Sequence, residues 1–342
     1  MSRSISPLLE KISTKHILVA IIKNWYNKTG LKEANMQYHF IINRTAKSGK
    51  NKHIWDIIER ELIQKQLDYQ LHVTKHPYHS YEIAKEICAT GKECTIVSIG
   101  GDGTVNETLN GLSSFNQVTF GYIPTGSGND FARGVPIHTD TVKALHTILY
   151  PKQIKNMDLG VVYTKDVQRR FGVSMGMGFD ALTCKHAISS KFKDLLNMIH
   201  LGRLTYVGTA LKQLFTYKSQ LLSLTLDDGE IKNFSKCLFL TVMNQPYEGG
   251  GFMFCPDANN EDGYLDICVV DSIPKWKIFL VFPIAYFGKH TKIKGIHTFR
   301  CKKALIHTTT PLPVHTDGEY LGDHTDISVG LYHETLRILS KE

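Results

Sequence analysis

The stretch TIVSIGGDGTVNE, residues 95–107, joins a short apolar run to a glycine-rich turn. The run TIVSI predicts a buried strand, and the residues after the turn predict a helix at about 105–113. Three glycines around Asp102 allow the backbone to approach a bulky anion, and the free N–H groups at the start of the helix attract phosphate oxygens. We therefore predict a nucleotide-binding loop at the carboxyl end of this strand, where ligands bind in open α/β sheets. An ordinary strand-to-helix turn is the alternative, because one short glycine motif has low specificity.

A second glycine-rich loop, IPTGSGNDFARG at residues 123–134, follows the next predicted strand, 118–123. Ser127 is a candidate for a hydrogen bond to phosphate. Asp130 either stands in a polar, metal-bearing cleft or caps the helix that follows. Two such loops, each with a carboxylate and each at the end of one of two consecutive strands, favour a shared cleft over two unrelated turns.

The sequence around these loops alternates between strand and helix patterns up to Pro151. Strands are expected at 38–43, 69–74, 95–99 and 118–123, and helices at about 51–67, 80–89 and 105–113. This alternation is typical of a mostly parallel sheet covered on both faces. After Pro151, short β-rich runs bounded by Gly, Asp and Asn predict an antiparallel β domain, with one helical interruption from Ile188 to Lys218.

We therefore expect an α/β plus all-β protein of two domains: an N-terminal α/β domain with a mostly parallel sheet and a C-terminal antiparallel, β-rich domain. The active site is expected in the cleft between them, and the linker near residues 151–157. The expected divisions are an extension of unknown role at 1–35, followed by an alternative start at Met36, the α/β nucleotide-binding domain at 36–156, the β-rich substrate domain at 157–330, and a segment at 331–342 that could return to the first domain.

The composition is that of an ordinary globular protein, with 42% hydrophobic and 21% charged residues in a chain of 342. Seven cysteines, an odd number without a C-x-x-C pair, predict reduced thiols rather than a disulfide framework or a zinc site. No small-residue cleavage site follows a clear apolar region near the N-terminus, and the longest apolar run, 278–287, is too short to span a bilayer. These features predict a cytoplasmic protein.

The formal net charge of +8 favours anionic partners without choosing among them. The helical stretch 188–218 carries lysines among Phe, Leu and Tyr residues, namely Lys191, Lys193, Lys212 and Lys218. Such a helix can lie on an anionic membrane, so transient peripheral association is expected, although a core-facing helix is the commoner explanation. Nucleic acid is not an expected partner, because the positive charge is diffuse and no recognised binding module is present.

Five ordered motifs resemble those of one family. GGDGTVNETLNGL and IPTGSGNDFARG resemble the hallmark loops of the diacylglycerol kinase catalytic-domain family, which contains bacterial lipid kinases and is related to sphingosine kinases. The other three are MGMGFDA at 175–181, PDANNEDGYLDI at 256–267 and TDGE at 316–319. The resemblance runs from about Met36 to near the C-terminus. It implies an ATP- and Mg²⁺-dependent kinase that phosphorylates the hydroxyl of diacylglycerol or a related lipid alcohol, which the C-terminal domain binds.

By this resemblance, the expected ATP contacts are Asn43, Ser48, Gly49, Thr74, Gly101, Asp102, Gly103, Thr104, Val105, Asn106, Glu107 and Ser127. Asp102 would also organise catalytic Mg²⁺. The loop that contains Asn43, Ser48 and Gly49 departs from the family, because Arg44 stands where a proline is usual. The segment NRTAKSGKN at 43–51 is not a Walker P-loop, since its first glycine is missing and Asn51 follows Lys50.

The same resemblance implies a structural Mg²⁺ site and a general base in the C-terminal domain. The metal would be held by the backbone carbonyls of Asn259 and Tyr264 and by the side chain of Asp262, which are oxygen ligands of the kind that Mg²⁺ prefers. A simple acidic β-turn is the alternative for this segment. Glu319 would be the general base for the lipid hydroxyl, on a turn that Asp317 and Gly318 shape.

Two other functions fit part of these motifs. NAD kinases also carry a GGDGT loop on a similar two-domain plan, but their separate downstream Asn-Glu pair has no clear place in this sequence. A catalytically silent lipid- or nucleotide-binding regulator would keep the same fold, although the intact carboxylates of Asp102, Asp130, Asp262 and Glu319 argue against it. The identity of the lipid acceptor and the oligomeric state stay open, with a homodimer as one option.

Overall fold

The computed structural model describes residues 37–43, 50–189, 213–227 and 229–341, with residues 50–52 and 186–189 described by their backbone alone. The helices in these ranges are α1 Lys50–Gln64, α2 His79–Ala89, α3 Asp102–Gly111, α4 Asp130–Gly134, α5 Thr141–Leu149, α6 Phe179–Ser189 and α7 Lys275–Tyr286. The strands are β1 Gln37–Ile42, β2 Tyr69–Val73, β3 Cys94–Gly100, β4 Val118–Pro124, β5 Gln153–Met157, β6 Gly160–Tyr163, β7 Gln168–Phe171, β8 Ser174–Gly178, β9 Gln220–Leu226, β10 Ile231–Met243, β11 Tyr247–Glu248, β12 Phe252–Met253, β13 Leu265–Asp271, β14 Ile296–Cys301, β15 Lys303–Thr316, β16 Glu319–Leu331 and β17 Leu336–Ser340.

The first sheet has six strands in the order β2-β1-β3-β4-β17-β5. β1 and β2, β3 and β4, and β4 and β17 pair in parallel, whereas β5 at the edge runs antiparallel to β17. β3 and β4 are buried along their whole lengths, as expected of apolar strands with helices on both faces. The predicted α/β domain with a mostly parallel sheet is confirmed.

Successive residues of β3 pack into two different cores, because side chains alternate across a strand. Ile96 belongs to the core that contains Leu109 of α3 and residues of α2. Val97 belongs to the core that contains Ile58 of α1 and residues of α5. The loops at the carboxyl ends of the strands are thus held between two packed layers of helix.

Residues 151–157 are not the linker that the sequence predicted. Gln153–Met157 forms edge strand β5, which pairs with β17 from Met157 opposite Leu336 to Gln153 opposite Ser340. The chain enters the second sheet only at β6, and its last strand belongs to the first sheet. The prediction failed because the pairing partner of this strand comes from the far end of the chain.

The second sheet has nine strands, with the main order β14-β13-β10-β8-β15-β16-β6-β7, and all its described pairings are antiparallel. The short strands β8 and β9 both lie between the long strands β10 and β15. β9 pairs with the first part of each long strand and β8 with the last part. The predicted antiparallel β-rich domain is confirmed.

The second domain contains helices α6 and α7, and the first of them begins earlier than the one helix that the sequence predicted. α6 starts at Phe179, directly after β8, whereas a helix was expected from Ile188. The expected helix falls mostly outside the described residues, which resume with a short helical segment at 213–216. Of its four lysines, only Lys218 is described, so the membrane role predicted for this helix stays a prediction.

Candidate active site

The two glycine-rich loops of the first sheet pack directly against each other. The backbone N–H groups of Thr125 and Gly126 donate to the carbonyl oxygen of Gly100 at 2.7 and 3.2 Å. A Cβ atom added to Gly126 would lie 2.7 Å from the Cα atom of Gly101, closer than real Cβ atoms approach. This close backbone contact requires the absence of a side chain, and it joins the loops after β3 and β4 into one surface.

Asp102 and Asp130 present their carboxylates to the same small space beside Gly128. A Cβ atom added to Gly128 would lie 3.2 Å from Oδ2 of Asp102 and 3.5 Å from Oδ2 of Asp130. Asp102 accepts a hydrogen bond from the backbone N–H of Phe131 at 3.1 Å, and Asp130 accepts one from the backbone N–H of Gly250 at 2.7 Å. Asp130 therefore ties the second loop to the β-rich domain and does not cap its own helix.

Burial raises the pKa of both carboxyl groups. It brings the pKa of Asp102 to about 6, and the negative charge of Asp130 adds to this shift. Burial also raises the pKa of Asp130, although the Nε atom of Arg133 lies 3.5 Å from its Oδ1. That buried Oδ1 atom accepts no hydrogen bond within the described residues. Two crowded carboxylates, one with an unused oxygen, fit a Mg²⁺ ion, which prefers oxygen ligands.

Other residues predicted to contact ATP lie at the same edge of the sheet. Asn43 directly follows β1, and its N–H donates to β3 at 3.2 Å. Thr74 directly follows β2, and its N–H donates to β1 at 3.0 Å. Ser127 lies in the loop after β4. The predicted contacts Ser48 and Gly49 fall outside the described residues.

The first turn of α3 carries four predicted ATP contacts whose side chains are already engaged. Thr104 is buried against Gly100, and Val105 is buried in the core beneath the sheet. Asn106 is fully buried and hydrogen-bonds side chains of the β-rich domain. The carboxylate of Glu107 accepts two backbone N–H groups at the start of α2, at 2.9 and 3.3 Å. The side chains of these four residues are therefore already occupied within the protein, and the N–H of Val105 donates to the carbonyl oxygen of Gly101 at 3.2 Å.

The TDGE segment forms the tight turn between β15 and β16. Asp317 and Gly318 both have positive φ angles, 50° and 82°, which are typical of a two-residue hairpin turn. The Asp317 carboxylate accepts four hydrogen bonds of 2.7 to 3.0 Å, which attach the turn to α3 and to the start of β8. The four donors are the backbone N–H groups of Gly172, Val173 and Ser174 and the side-chain amide of Asn106.

Replacing Asp317 by asparagine is expected to lower the free energy of unfolding by about 2–4 kcal/mol, because buried polar groups would lose their partners. The asparagine oxygen can still accept two hydrogen bonds, but its NH₂ group would face the other two donors. Urea denaturation measures the change, with Asp257→Asn at an exposed position as the matched control. A loss no larger than that of the control would show that these hydrogen bonds do not stabilise the fold.

Glu319, the first residue of β16, reaches the first turn of α3. A Cβ atom added to Gly103 would lie 2.6 Å from its Oε1 atom, so the carboxylate rests against the backbone of the GGDG loop. A carboxylate at this position also benefits from the positive end of the α3 dipole. The α/β domain and the β-rich domain thus contribute Asp102 and Glu319 to one site.

A buried cluster behind this turn, formed by Asp180, Glu248 and His315, was not predicted from the sequence. Nε2 of His315 lies 2.8 Å from Oδ2 of Asp180 and 3.3 Å from Oε1 of Glu248. Nδ1 of His315 accepts the backbone N–H of Gly318 at 3.1 Å. The three side chains are close enough to share a cation. However, the acceptor role of Nδ1 places the ring proton on Nε2, facing the carboxylates, so the cluster satisfies itself without one.

The cluster retains protons near neutral pH. Burial and the charge of Asp180 raise the pKa of Glu248 to about 8. Burial alone would lower the pKa of His315, but the charges of Asp180 and Glu248 outweigh it and raise the pKa to about 9. The hydrogen bond at Nδ1 opposes this rise, because it needs a lone pair that imidazolium lacks. The cluster as a whole therefore keeps at least one proton that its separated groups would have lost.

The variant Glu248→Gln is expected to flatten the dependence of stability on pH. In the wild type, the folded state keeps a proton that the unfolded chain loses above the ordinary Glu pKa of 4.5. The free energy of unfolding therefore falls as the pH rises from about 5 toward 8, because the native state binds more protons there. Urea unfolding across this range tests the effect, with the exposed change Glu230→Gln as control. Equal pH slopes for Glu248→Gln and the wild type would contradict the raised pKa.

The acidic loop predicted to hold a structural Mg²⁺ contains Asn259 and lies near Asp158. Oδ1 of Asp262 accepts the backbone N–H of Tyr264 at 3.0 Å, and Oδ2 contacts the guanidinium of Arg300. The pKa of Asp158 is raised by burial and then by the charge of Asp262. Crowded negative charge would favour a cation here, but Arg300 already supplies one. The Mg²⁺ assignment of this loop stays a prediction.

A cavity of about 570 Å³ lies on a different side of α3, between α2 and β7. Tyr78, Glu107 and Arg169 are among its lining residues, but Asp102 and Glu319 are not. We place the chemistry at the glycine-rich loops and not in this cavity, because the carboxylates of Asp102, Asp130 and Glu319 converge at those loops.

The two halves of the chain match two known domains. The diacylglycerol kinase catalytic domain matches residues 37–162, and the YegS C-terminal NAD kinase beta sandwich-like domain matches residues 173–339. The Bacillus subtilis (strain 168) protein named "Putative lipid kinase YtlR" is 32% identical over 291 residues, covering 83% of this chain and 94% of that protein. The chain belongs to the diacylglycerol kinase family. A diacylglycerol kinase of Mycobacterium tuberculosis (strain ATCC 25618 / H37Rv) is 29% identical to this family member over 234 residues, covering 68% and 72% of the two chains.

Solved structures resemble this diacylglycerol kinase family member in fold. A diacylglycerol kinase from Bacillus anthracis str. Sterne aligns with a TM-score of 0.67 and 22% identity, covering 90% of this chain and 97% of that one. An NAD kinase from Archaeoglobus fulgidus in complex with ATP aligns with a TM-score of 0.51 and 14% identity, covering 90% and 94%. At these identities, both likenesses concern the fold alone. Within the described ranges, every helix is too short or too polar to cross a membrane.

Proposed function

We propose that this protein is an ATP- and Mg²⁺-dependent lipid kinase that phosphorylates the hydroxyl of diacylglycerol or a related lipid alcohol. The observation that carries the proposal is the close approach of Glu319 to Gly103, which brings the TDGE turn onto the GGDG loop. A base beside a phosphate-binding loop is what phosphoryl transfer to an alcohol requires. Membership of the diacylglycerol kinase family supports the lipid acceptor.

The α/β domain would bind ATP along the carboxyl edge of its sheet. Backbone N–H groups at Gly101 to Thr104 would face phosphate oxygens at the N-terminus of α3. Asp102 and Asp130 would hold Mg²⁺, which neutralises the charge of the transferring phosphoryl group when it is bound. A structural Mg²⁺ at Asp262 belongs to the same proposal.

Glu319 would accept the proton of the lipid hydroxyl. As the lipid oxygen bonds to the γ-phosphorus of ATP, the bond from that phosphorus to the β,γ-bridging oxygen breaks, and ADP leaves with the electron pair. His315 would act as a positioning residue for this base, because its Nδ1 holds the N–H of Gly318, the residue directly before Glu319. Asp317 holds the same turn from its other side.

A panel of lipids and NAD, incubated with γ-labelled ATP and Mg²⁺, tests the proposal. We expect the label in diacylglycerol or a related lipid alcohol and not in NAD. Transfer to NAD would identify an NAD kinase, the second candidate, whose fold the chain resembles. Binding of ATP without transfer to any lipid would identify a silent regulator instead.

We further propose that the protein works in the cytoplasm and meets its substrate by transient contact with an anionic membrane surface. All seven cysteines are free thiols, as expected in a reducing compartment. The formal net charge of +8 favours anionic surfaces. Fractionation of cells that express the protein, with low-salt and high-salt washes of the membranes, would separate a peripheral protein from one that never visits the membrane.

A further inference from the structure

Helix α7 exposes a row of large apolar side chains to solvent. We call this row, Trp276, Leu280 and Phe287, the α7 ridge. Their exposed fractions are 63%, 60% and 66%. Their spacing places them on one side of the helix, with Phe287 directly after its last residue. The buried side chains of the opposite side are Ile278, Val281 and Ala285. The packing of the second domain thus uses one side of α7 and leaves an equally apolar side uncovered among the described residues.

The chain around the α7 ridge carries only positive charge. No Asp or Glu occurs from Ser272 to Thr316, whereas this stretch contains seven lysines and one arginine. Five of these lysines lie on α7 or in the loop after it. Lys275 donates to the backbone carbonyls of Phe215 and Tyr217, and the other four are Lys277, Lys289, Lys292 and Lys294. In the described part of the chain, none of the four takes part in an ion pair. Their charges are therefore available to an external anion.

We propose that the α7 ridge docks this protein on an anionic lipid surface. The ridge side chains would enter the interface between headgroups and acyl chains, where tryptophan is favoured, and the lysines would meet lipid phosphates. A lipid surface offers an apolar layer for the ridge side chains and negative charge for the lysines. A second copy of the chain would offer an apolar surface but no negative charge, because a symmetric contact would set the same lysines against each other.

Docking through α7 would bring the membrane close to the candidate active site. A Cβ atom added to Gly251 would lie 3.5 Å from Tyr286, near the end of α7, and 3.6 Å from Arg133. The neighbouring N–H of Gly250 donates to the carboxylate of Asp130. One short loop thus separates the docking face from the Asp102 and Asp130 pair. Access of a membrane lipid to this pair rests on the proposed kinase function, whereas the docking itself does not.

Vesicle cosedimentation without ATP tests the docking. The probes are phosphatidylcholine vesicles with and without phosphatidylglycerol, at low and high NaCl. An apolar variant combines Trp276→Ser, Leu280→Ser and Phe287→Ser, and a charge variant combines Lys277→Gln, Lys289→Gln and Lys292→Gln. The matched control combines Ile63→Ser, Val142→Ser and Ile231→Ser, which are exposed side chains on other elements.

The wild type is expected to bind the phosphatidylglycerol vesicles and to be released by high salt, which screens the lysines. The charge variant should bind about 100-fold more weakly, since each of its three lysines contributes about fivefold near an anionic surface. The apolar variant should bind at least about tenfold more weakly, because its three side chains no longer enter the interface. The matched control should bind as the wild type does. Equal binding by the wild type and both α7 variants would overturn the proposal.

Tryptophan fluorescence gives a second measurement that does not depend on the folding of a triple variant. Trp276 is exposed and Trp55 is buried. The third tryptophan, Trp25, lies outside the described residues and is replaced by phenylalanine in every protein compared. A shift to shorter wavelength on adding phosphatidylglycerol vesicles should then be absent from Trp276→Phe. A shift of the same size in Trp276→Phe, or none in the wild type, would contradict entry of the ridge into the interface.

Two further outcomes separate the docking from its rivals. If the apolar variant converts a dimer into a monomer in sedimentation velocity while vesicle binding is unchanged, the α7 ridge is a self-association face and the proposal is wrong. Phosphorylation of short-chain diacylglycerol without vesicles should be equal in the wild type and the α7 variants. Its absence from the wild type would refute the kinase function, and vesicle binding by that same protein would still support docking.

Discussion

Replacing Glu319 by glutamine is expected to lower kcat for lipid phosphorylation by about 10²–10⁴-fold, the usual contribution of a positioned general base. Glutamine keeps the size of the side chain and its contact with Gly103, but it cannot accept the proton of the lipid hydroxyl. The KM for ATP should change little, because the backbone of the GGDG loop is untouched. Initial rates with labelled ATP and the most active lipid of the panel measure the effect.

The matched control is Glu230→Gln, where the side chain is 82% exposed and pairs with Lys232 on the surface. It should keep wild-type turnover. Affinity for a fluorescent ATP analogue should be the same in both variants and in the wild type, which separates lost chemistry from lost nucleotide binding. Full turnover by Glu319→Gln would remove Glu319 from the role of general base.

The variant Asp102→Asn is expected to lower kcat by about 10²–10³-fold, as loss of one electrostatic group at a transferring centre does. The asparagine oxygen can keep the hydrogen bond from the N–H of Phe131. The other carboxylate oxygen, which faces Asp130 beside Gly128, becomes an uncharged NH₂ that cannot hold Mg²⁺. Rates measured across a Mg²⁺ titration should show a higher Mg²⁺ requirement as well as a lower maximum.

The stability of Asp102→Asn provides an independent readout. Burial raises the pKa of Asp102 to about 6, so without metal the charged carboxylate destabilises the folded state increasingly as the pH rises through that value. Asparagine removes this cost, and the Tm at neutral pH without Mg²⁺ should stay equal or rise. Asp166→Asn, at an exposed position, is the control. A marked fall in Tm would contradict the cost of burying this charge, and wild-type turnover at low Mg²⁺ would rule out Asp102 as a metal ligand.

The first sheet was predictable because its buried strands are short apolar runs with helical stretches between them. Predicted boundaries were less accurate where glycine is frequent. α3 was expected at 105–113 but begins at Asp102 and ends at Gly111. The GGDG loop enters its first turn, and glycine lowers the helix propensity on which the prediction relied.

Other elements could not be predicted from local patterns. α7 is apolar on every side and contains Pro283, so no helical period distinguishes it from a buried strand, and proline argues against a helix. β5 is a short polar edge strand that pairs with β17, a strand from the far end of the chain. The Asp180, Glu248 and His315 cluster joins a residue of the FDA motif, a residue without a motif and a residue beside TDGE. The first and last could have been suspected from their positions, but Glu248 carries no signal.

Local sequence is sufficient to specify the two glycine-rich loops and the strand ends that carry them, because phosphate binding by backbone N–H groups needs small residues at adjacent positions. It is likewise sufficient to place Asp317 and Gly318 in a turn. The approach of Glu319 to Gly103 and the bond from Gly250 to Asp130 come from folding alone. Both join residues far apart in the chain, and both depend on strand register and on the packing of one domain against the other, which no local pattern encodes.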